Sequence, residues 1–306
     1  MDEPLVIGVN AEVCRDKDGR LVSALDCGYC RAIAAAGASP IMLPPVADTI
    51  QHMLSRLNGI VLTGSHYDYD PRIDGFELHV TTRPMAEERE KFDRALAIAV
   101  RQAKLPVLGI GGGMQLLNCT CGGKTSLHIP DDWPKSLPHM DPLEPNLRHG
   151  IEMAPGSLVS QVWGQESPSV TSHHHQAVDI IPVGWIKTAW CQRIIEAIEC
   201  LDSDWIAVGV QWHPESRYAS PREAGLFAAW LDEIGHLRRT GRRPKRTITD
   251  ANYMSRTDAA HYLGVARNTL NDWASRRFGP CYHLIGNKVY YRKTDLDAWN
   301  RGRGQS

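Results

Sequence analysis

The sequence lacks the long hydrophobic run that a membrane-spanning helix needs. No apolar stretch approaches about 18 residues, and the first residues carry neither a basic cluster nor the apolar core of a secretion signal. The eight cysteines of the 306-residue chain are scattered, whereas small secreted domains use a dense cysteine framework. Internal repeats are also missing. We therefore expect a cytoplasmic protein with reduced cysteines and no membrane partner.

Short apolar runs alternate with helical stretches through the first three quarters of the chain. The runs that predict buried strands are 5–9, 41–43, 59–62, 106–110, 150–153, 169–181, 194–199 and 206–212. Helices are predicted up to Ala36 and over 87–102 and 221–234. This rhythm is typical of an α/β fold with a mostly parallel sheet flanked by helices. Ligands of such sheets bind beyond the carboxyl ends of the strands.

The net charge of −1 hides a strong asymmetry. Residues 238–306 hold 15 basic and 5 acidic residues, a net charge of +10, which leaves 19 basic and 30 acidic residues, a net charge of −11, before them. A basic tail suggests a polyanionic partner, although a solvated basic surface explains the charge equally well. Residues 236–250 are basic, contain Gly and Pro, and have little to bury. We predict domains over 1–235 and 251–306, joined by a basic linker over 236–250.

Four segments carry a resemblance to a known family. They are 61–65 (Val-Leu-Thr-Gly-Ser), 109–115 (Gly-Ile-Gly-Gly-Gly-Met-Gln), 174–176 (His-His-Gln) and 209–215 (Gly-Val-Gln-Trp-His-Pro-Glu). In this order they resemble the peptidase C26 group of class I glutamine amidotransferases, which includes γ-glutamyl-γ-aminobutyrate hydrolases. The resemblance covers about residues 4–234 and implies the class I glutamine amidotransferase-like fold.

The chain departs from this family at the nucleophile. The family's elbow reads Gly-Ile-Cys-Arg-Gly-Met-Gln, and its cysteine attacks a γ-glutamyl amide at a helix N-terminus. Here Gly111 and Gly112 stand at the cysteine and arginine positions. The resemblance assigns the general base to His213 and its orienting carboxylate to Glu215, a remnant of the catalytic triad. Cys119 and Cys121 lie two to three helical turns beyond the elbow and do not reach it.

The remaining motif residues predict a pocket for a small polar ligand. The resemblance puts the oxyanion hole at backbone N–H groups near Gly64 and at Gly112, and a γ-glutamyl or carboxylate group suits the site. The predicted ligand-binding residues are Gly64, Ser65, Gly112, Gln115, His174, His175 and Gln176. The histidine run 173–175 raises the question of a metal. Neighbouring residues of an extended chain point in opposite directions, so we predict no metal site and no cofactor.

The C-terminal region has the pattern of a small DNA-binding domain. Ser255 begins a capping box, Gly264 separates two short helical segments, and residues 286–287 form a two-residue hairpin turn that makes a wing. The pattern over 253–301 resembles the excisionase and MerR-like helix-turn-helix group. A three-helix protein-interaction module is the alternative.

The second helical segment, 265–273, is the predicted recognition helix. Its polar residues that face the major groove are Arg267, Asn268, Thr269 and Asn271. The basic residues expected near phosphates are Arg276, Arg277, Lys288, Arg292 and Lys293. Double-stranded DNA is therefore the expected partner.

Three function classes follow from these patterns. The first is a DNA-binding regulator or excision factor whose inactive amidotransferase-like domain senses a ligand or forms a homodimer. The second is a working γ-glutamyl hydrolase with an unrecognised nucleophile, and the third is a scaffold without a ligand. A helix-turn-helix reads few base pairs, so useful specificity favours a dimer on two half-sites.

Overall fold

The computed structural model describes residues 3–144, 146–164, 168–244, 246, 248, 253–276, 278–285 and 288–303. The chain forms two compact units, residues 1–246 and 247–306. None of the helices among the described residues has both the length and the apolar character to cross a membrane.

The first unit alternates strands and helices as the sequence predicts. Its strands are β1 Val6–Asn10, β2 Glu12–Arg15, β3 Leu21–Ala24, β4 Ser39–Leu43, β5 Gly59–Leu62, β6 Val107–Ile110, β7 Lys124–Ser126, β8 Arg148–Gly150, β9 Glu152–Met153, β10 Ser169–Thr171, β11 Ala177–Ile180, β12 Trp185–Cys191, β13 Ile194–Cys200 and β14 Ala207–Val210. Its helices are α1 Cys27–Ala35, α2 Ile50–Leu54, α3 Glu87–Ala103, α4 Gly112–Thr120, α5 Ile129–Asp132, α6 Leu158–Trp163 and α7 Pro221–Thr240, with 3-10 turns at Ala47–Thr49 and Pro71–Asp74.

The central sheet has the order β4-β1-β5-β6-β14-β13-β11-β7. Strands β4, β1, β5, β6 and β14 are parallel, and β13 is antiparallel to β14. Every residue of β5, β6 and β14 is buried, because helices cover both faces of the sheet. The predicted fold class is confirmed.

Two apolar cores hold the helices on the sheet. On one face, Ile33 of α1, Trp163 of α6 and Trp230 of α7 pack together. The other face packs against Leu54, Leu96 and Leu117 of the helices α2, α3 and α4. Each such aliphatic side chain contributes about 1.5–3 kcal/mol when it leaves water. These helices fix the strand ends, and the strand ends position the site.

The first unit differs from the predicted strands in several places. The predicted strand 169–181 is two strands, β10 and β11, separated by the loop 172–176 that carries the histidine run. The predicted strand 150–153 is divided between β8 and β9. The hairpin β2–β3 and the strands β7 and β12 were not predicted. The hairpin buries little, so its sequence has no clear alternation of apolar residues.

The predicted linker is not a free segment over its first half. Helix α7 continues to Thr240, beyond the predicted end at 234, and the first unit extends to Arg246. Arg246 pairs with Glu199 at 2.7 Å and with Glu233 at 2.7 Å, and Arg243 lies 3.6 Å from Glu199. Arg243 and Arg246, which the sequence places in a solvated linker, thus pair with buried carboxylates of the first unit.

The second unit is a small α/β module. It contains β15 Tyr253–Ser255, α8 Arg256–Tyr262, α9 Arg267–Ser275, β16 His283–Ile285, β17 Lys288–Arg292 and α10 Lys293–Arg303. The strands form an antiparallel sheet of order β15-β17-β16, in which β15 was not predicted. The core consists of Ala259, Ala260, Leu270, Tyr291 and Leu296. Gly264 has a φ of 65° and turns the chain between α8 and α9, as predicted. The predicted hairpin turn at 286–287 lies outside the described residues.

Candidate functional site

The strand-to-helix elbow of the first unit keeps its sharp turn. Gly111 joins β6 to α4 with φ 55° and ψ −118°. Residues that carry a side chain rarely adopt this strained backbone conformation outside functional turns. At Gly113, a Cβ atom would lie 2.0 Å from the carbonyl oxygen of Leu62, so only glycine fits there. The backbone of the elbow is therefore built for a residue presented above the sheet.

A side chain at the apex of this elbow would point at His213. A Cβ atom at Gly111 would lie 3.1 Å from Cε1 and 3.2 Å from Nε2 of His213. On the opposite side of the ring, Nδ1 of His213 lies 2.7 Å from Oε1 of Glu215. This is the base-and-orienter geometry of a nucleophile site, but glycine supplies no atom to activate.

The His213 imidazole is paired with a carboxylate that also contacts Tyr29. Burial opposes the charge on the His213 imidazole, but the neighbouring Glu215 outweighs it and raises the pKa of His213. Tyr29 lies on the other side of Glu215; its burial and that carboxylate raise the pKa of the Tyr29 phenol. The phenol oxygen accepts a 3.2 Å hydrogen bond from the N–H of Gly64. One of the two expected oxyanion donors is thus already engaged.

The turn after β5 rests on a buried ionic network. Arg89 of α3 is buried and pairs with Glu12 at 2.6 Å and Asp93 at 3.0 Å. It also donates to the carbonyl oxygen of Gly64 at 3.1 Å. Ser65 donates to the same Glu12 carboxylate at 2.6 Å. The network therefore fixes the Gly64–Ser65 corner of the site, although the sequence marks Arg89 and Asp93 only as an i, i+4 charge pair on a helix.

A cavity of about 700 Å³ opens over the elbow. Gly111 and His213 lie in its wall. The predicted residues that also line it are Ser65, Gly112, Gln115, His174, His175 and Gln176. Gly64 and Glu215 lie behind the wall. The Cα atom of Gly64 is 3.8 Å from the position that a Cβ atom would take at Gly111. The structure thus brings the predicted ligand-binding residues to one place.

Sequence reasoning missed several residues of the cavity wall. Arg83 is exposed at the wall, and among the described residues no hydrogen bond or ion pair holds its guanidinium. Asp68 faces His175 at 3.1 Å from the same loop region. These residues lie in the long segment between β5 and α3, which has no periodic pattern. Its length alone, 24 residues without a strand, was a signal of a functional loop.

The three consecutive histidines diverge. His173 is exposed in the cavity wall, where partial burial lowers the pKa of its imidazole. His175 turns toward Asp68. His174 is buried at 7% exposure, and its Nε2 lies 3.5 Å from Oε1 of Glu196. Besides contributing to the cavity wall, His174 therefore belongs to a buried histidine cluster with His139, His149 and Glu196.

The two cysteines that follow the elbow in sequence, Cys119 and Cys121, are both partly buried. Cys119 faces Thr125 at 3.3 Å on the far side of α4, and burial raises the pKa of its thiol. Burial raises the pKa of Cys121 to about 12. A protonated, buried thiol is a poor nucleophile.

The predicted recognition helix of the second unit, α9, presents polar side chains to solvent. Arg267, Asn268 and Asn271 are exposed on α9, whereas Thr269 is half-buried. Arg256 of α8 donates to Oδ1 of Asn271 at 2.5 Å and was not predicted to contribute. It orients one of the amides that are expected to reach base edges.

The predicted phosphate contacts differ in their surroundings. Arg276 pairs with Asp272 at 2.9 Å on the exposed surface of α9. Arg292 donates to the phenol oxygen of Tyr253 at 2.6 Å, so its guanidinium is partly used inside the unit. Lys293 is exposed and lies 5.8 Å from the ring centre of Tyr262. Lys288 begins β17, and Arg277 lies outside the described residues.

Comparisons with known proteins agree with this geometry. Residues 5–215 match the peptidase C26 family model, and residues 253–304 match a helix-turn-helix domain model. A Mycobacterium tuberculosis protein provisionally named a glutamine amidotransferase is 34% identical over 215 residues, which cover 68% of this chain and 67% of that protein. The γ-glutamyl-γ-aminobutyrate hydrolase of Escherichia coli O157:H7 is 30% identical over 252 residues, covering 77% of this chain and 95% of the hydrolase.

A solved structure supports the fold of the first unit. A Thermoplasma acidophilum protein, provisionally named as part of a GMP synthase, superimposes with a TM-score of 0.55 at 16% identity, covering 79% of this chain and 99% of the other. The elbow, the His213–Glu215 pair and the matched sequence span lead to one conclusion. The chain belongs to the peptidase C26 family and carries a helix-turn-helix domain at its C-terminal end.

Proposed function

We propose that this protein is a DNA-binding transcriptional regulator or excision-type factor whose peptidase C26 domain binds a small polar ligand without hydrolysing it. The observation that carries the proposal is the apex of the elbow. Gly111 keeps the strained turn and faces His213, but it offers no nucleophile to the γ-glutamyl carbonyl. The helix-turn-helix domain then supplies the function of the chain.

The cavity supports a ligand that carries a carboxylate. Arg83 offers at the wall a guanidinium that no other described residue engages, and a guanidinium binds a carboxylate through two parallel hydrogen bonds. Gln115 is held by Gln211 through a 3.2 Å hydrogen bond, which presents a fixed amide nearby. A γ-glutamyl compound combines a carboxylate, an amine and an amide, and it suits this lining.

The second unit supports DNA as the partner. The exposed side chains of α9 suit base edges, and residues 247–306 hold 9 basic and 5 acidic residues, a net charge of +4. The first unit is acidic and is repelled by phosphates. It is also the larger of the two units, so we assign to it the homodimer interface that two DNA half-sites require.

Hydrolysis tests the first half of the proposal. The whole chain is incubated with γ-glutamyl-γ-aminobutyrate and with glutamine, and released glutamate is measured beside a His213→Ala variant. We expect no release above that variant, because no described residue supplies a thiolate at the elbow. Turnover in the natural chain that His213→Ala abolishes would show a working hydrolase with another nucleophile.

Ligand binding tests the second half. A panel of γ-glutamyl compounds and dicarboxylates is screened by the shift of the melting temperature, since a ligand at 100 times its Kd stabilises the folded chain by about 2.7 kcal/mol. We expect Arg83→Ala to remove the shift and Arg72→Ala to keep it, because Arg72 is paired with Asp70 outside the cavity. A panel without any binder, or a shift that both variants keep, contradicts a ligand at this site.

A further inference from the structure

The buried histidine cluster is unlike any other group of side chains described in the first unit. His139 and His174 come from loops, His149 from β8 and Glu196 from β13, and all four are buried. Their Nε2 atoms surround one oxygen: Oε1 of Glu196 lies 3.2 Å from His139, 3.5 Å from His149 and 3.5 Å from His174. All four atoms lie within 4.8 Å of one another.

The other nitrogen of each ring has a backbone partner. Nδ1 lies 2.7 Å from the carbonyl oxygen of Leu137 in His139, 3.3 Å from that of Gly150 in His149, and 2.8 Å from that of Gln176 in His174. A carbonyl oxygen only accepts, so each Nδ1 carries the hydrogen. Each neutral ring therefore directs the Nε2 lone pair into the cluster. Histidines that bind metals are held by this kind of outer partner.

The inner atoms have no partners of their own. None of the three Nε2 atoms and neither oxygen of Glu196 makes a hydrogen bond to a described residue. Three lone pairs and a carboxylate that face each other out of water repel one another and lose their hydration. A single proton between the carboxylate and one ring gives these two groups a hydrogen bond. The Nε2 atoms of the other two rings then remain without a partner. A cation at the centre satisfies all of them together.

The spacing suits a small tetrahedral ion. Zinc binds imidazole nitrogen at about 2.0–2.1 Å, which places neighbouring donors of a tetrahedron about 3.3 Å apart. The separations of 3.2, 3.5 and 3.5 Å between the nitrogens and the oxygen match this edge. We propose that His139, His149, His174 and Glu196 bind a divalent transition metal of the zinc type in a buried structural site.

This site connects the histidine loop to the wall of the cavity. The carbonyl oxygen of His139 accepts from the N–H of His174 at 3.0 Å and from the hydroxyl of Ser172 at 2.6 Å. Next to His139, Met140 lies in the cavity wall, and His173 and His175 flank His174 in the same wall. A metal with four protein ligands leaves no open position, so its role is to hold these segments together rather than to catalyse.

The experiment uses the whole, untagged chain. Elemental analysis by mass spectrometry measures bound metal after purification, and Co²⁺ is then added to chain stripped with a chelator. We expect about one zinc per chain, visible absorption bands of tetrahedral Co²⁺, and a lower melting temperature after stripping. A chain that holds no metal as purified and gives no tetrahedral Co²⁺ bands would overturn the site.

Two variants localise the metal. Glu196→Gln removes the charged ligand, but its amide can donate to an Nε2 atom and preserve the fold. The Glu196→Gln substitution should weaken Co²⁺ affinity at least tenfold. Removing even a residue that only holds a metal ligand in place weakens metal affinity by about 10–100-fold. His173→Gln is the matched control outside the cluster and should keep the metal. Equal Co²⁺ affinity in the natural chain, Glu196→Gln and a third variant, His174→Gln, would also overturn the site.

Discussion

The elbow of the first unit and the recognition helix of the second differ in what they present to a partner. At the elbow, the base, its carboxylate and the strained turn are in place around a position that has no side chain. On α9 the polar side chains are present and exposed, and Arg256 orients one of them. The comparison shows that the turn and the His213–Glu215 pair persist around a glycine, whereas α9 presents its side chains directly to solvent. It also directs the search for function to the second unit.

The largest expected effect concerns the network that keeps the elbow region in shape. Arg89→Met leaves the carboxylates of Glu12 and Asp93 without their partner, and removing one member of a buried ion pair costs about 3–5 kcal/mol. Denaturant unfolding measures the loss. Lys91→Met is the control on the same helix; its pair with Glu87 is exposed to solvent and should contribute little to stability. Similar losses in the two variants would contradict a structural role for the network.

The second effect concerns the charge of the DNA-binding unit. With about four phosphates neutralised, a fourfold rise in salt should weaken DNA binding roughly a hundredfold, because bound counterions are released. Fluorescence anisotropy of the whole chain on labelled duplex measures this slope. A slope near zero would show that the basic residues of the second unit do not face phosphates.

Substitutions within the second unit separate residues that read the DNA sequence from residues that contact phosphates. Arg267→Ala should cost about 1–3 kcal/mol on a preferred duplex and blur the preference, because the lost contacts are to base edges. Lys293→Ala should weaken all duplexes alike and reduce the salt slope. Competition binding with matched and scrambled duplexes separates the two outcomes. An Arg267→Ala variant that keeps its full preference would exclude α9 as the reading helix.

The smallest expected effect tests the remnant base. Glu215 raises the pKa of His213, so Glu215→Gln should lower that pKa. The pKa of His213 is higher in the folded chain than the ordinary histidine value of about 6.5 in the unfolded chain. The pair therefore stabilises the fold fully below about pH 6.5, and this stabilisation is lost as the pH rises through the pKa of the folded chain. NMR titration of the His213 ring measures the change. Glu87→Gln is the control, because Glu87 pairs with Lys91 and not with His213. Equal His213 titration curves in the natural chain and in Glu215→Gln would contradict the pairing.

The sequence predicts the features that repeat or that follow fixed motifs. The apolar runs of β5, β6 and β14 are uninterrupted because both faces are buried, and the elbow follows from its glycines. The two short helices with Gly264 between them were equally predictable. In each case the information lies within a few neighbouring residues.

Contacts between distant residues could not be predicted in this way. Arg246 reads as part of a basic linker, since nothing nearby in sequence shows that its partner is Glu199. The histidines 139, 149 and 174 come together only because β8 pairs with β10 and the loops fold over β13. The break between β10 and β11 was missed because the loop 172–176 contains neither glycine nor proline, the residues that most clearly mark a turn.

The central claim is that this chain acts by recognising DNA. The most direct measurement is the affinity of the whole chain for a duplex selected from a random pool, compared with a scrambled duplex at physiological salt. We predict that the natural chain prefers the selected duplex by about a thousandfold or more, and that a variant with Arg267, Asn268 and Asn271 all changed to Ala binds both duplexes equally. Equal affinity of the natural chain for the two duplexes, or no binding even at low salt, would contradict the account.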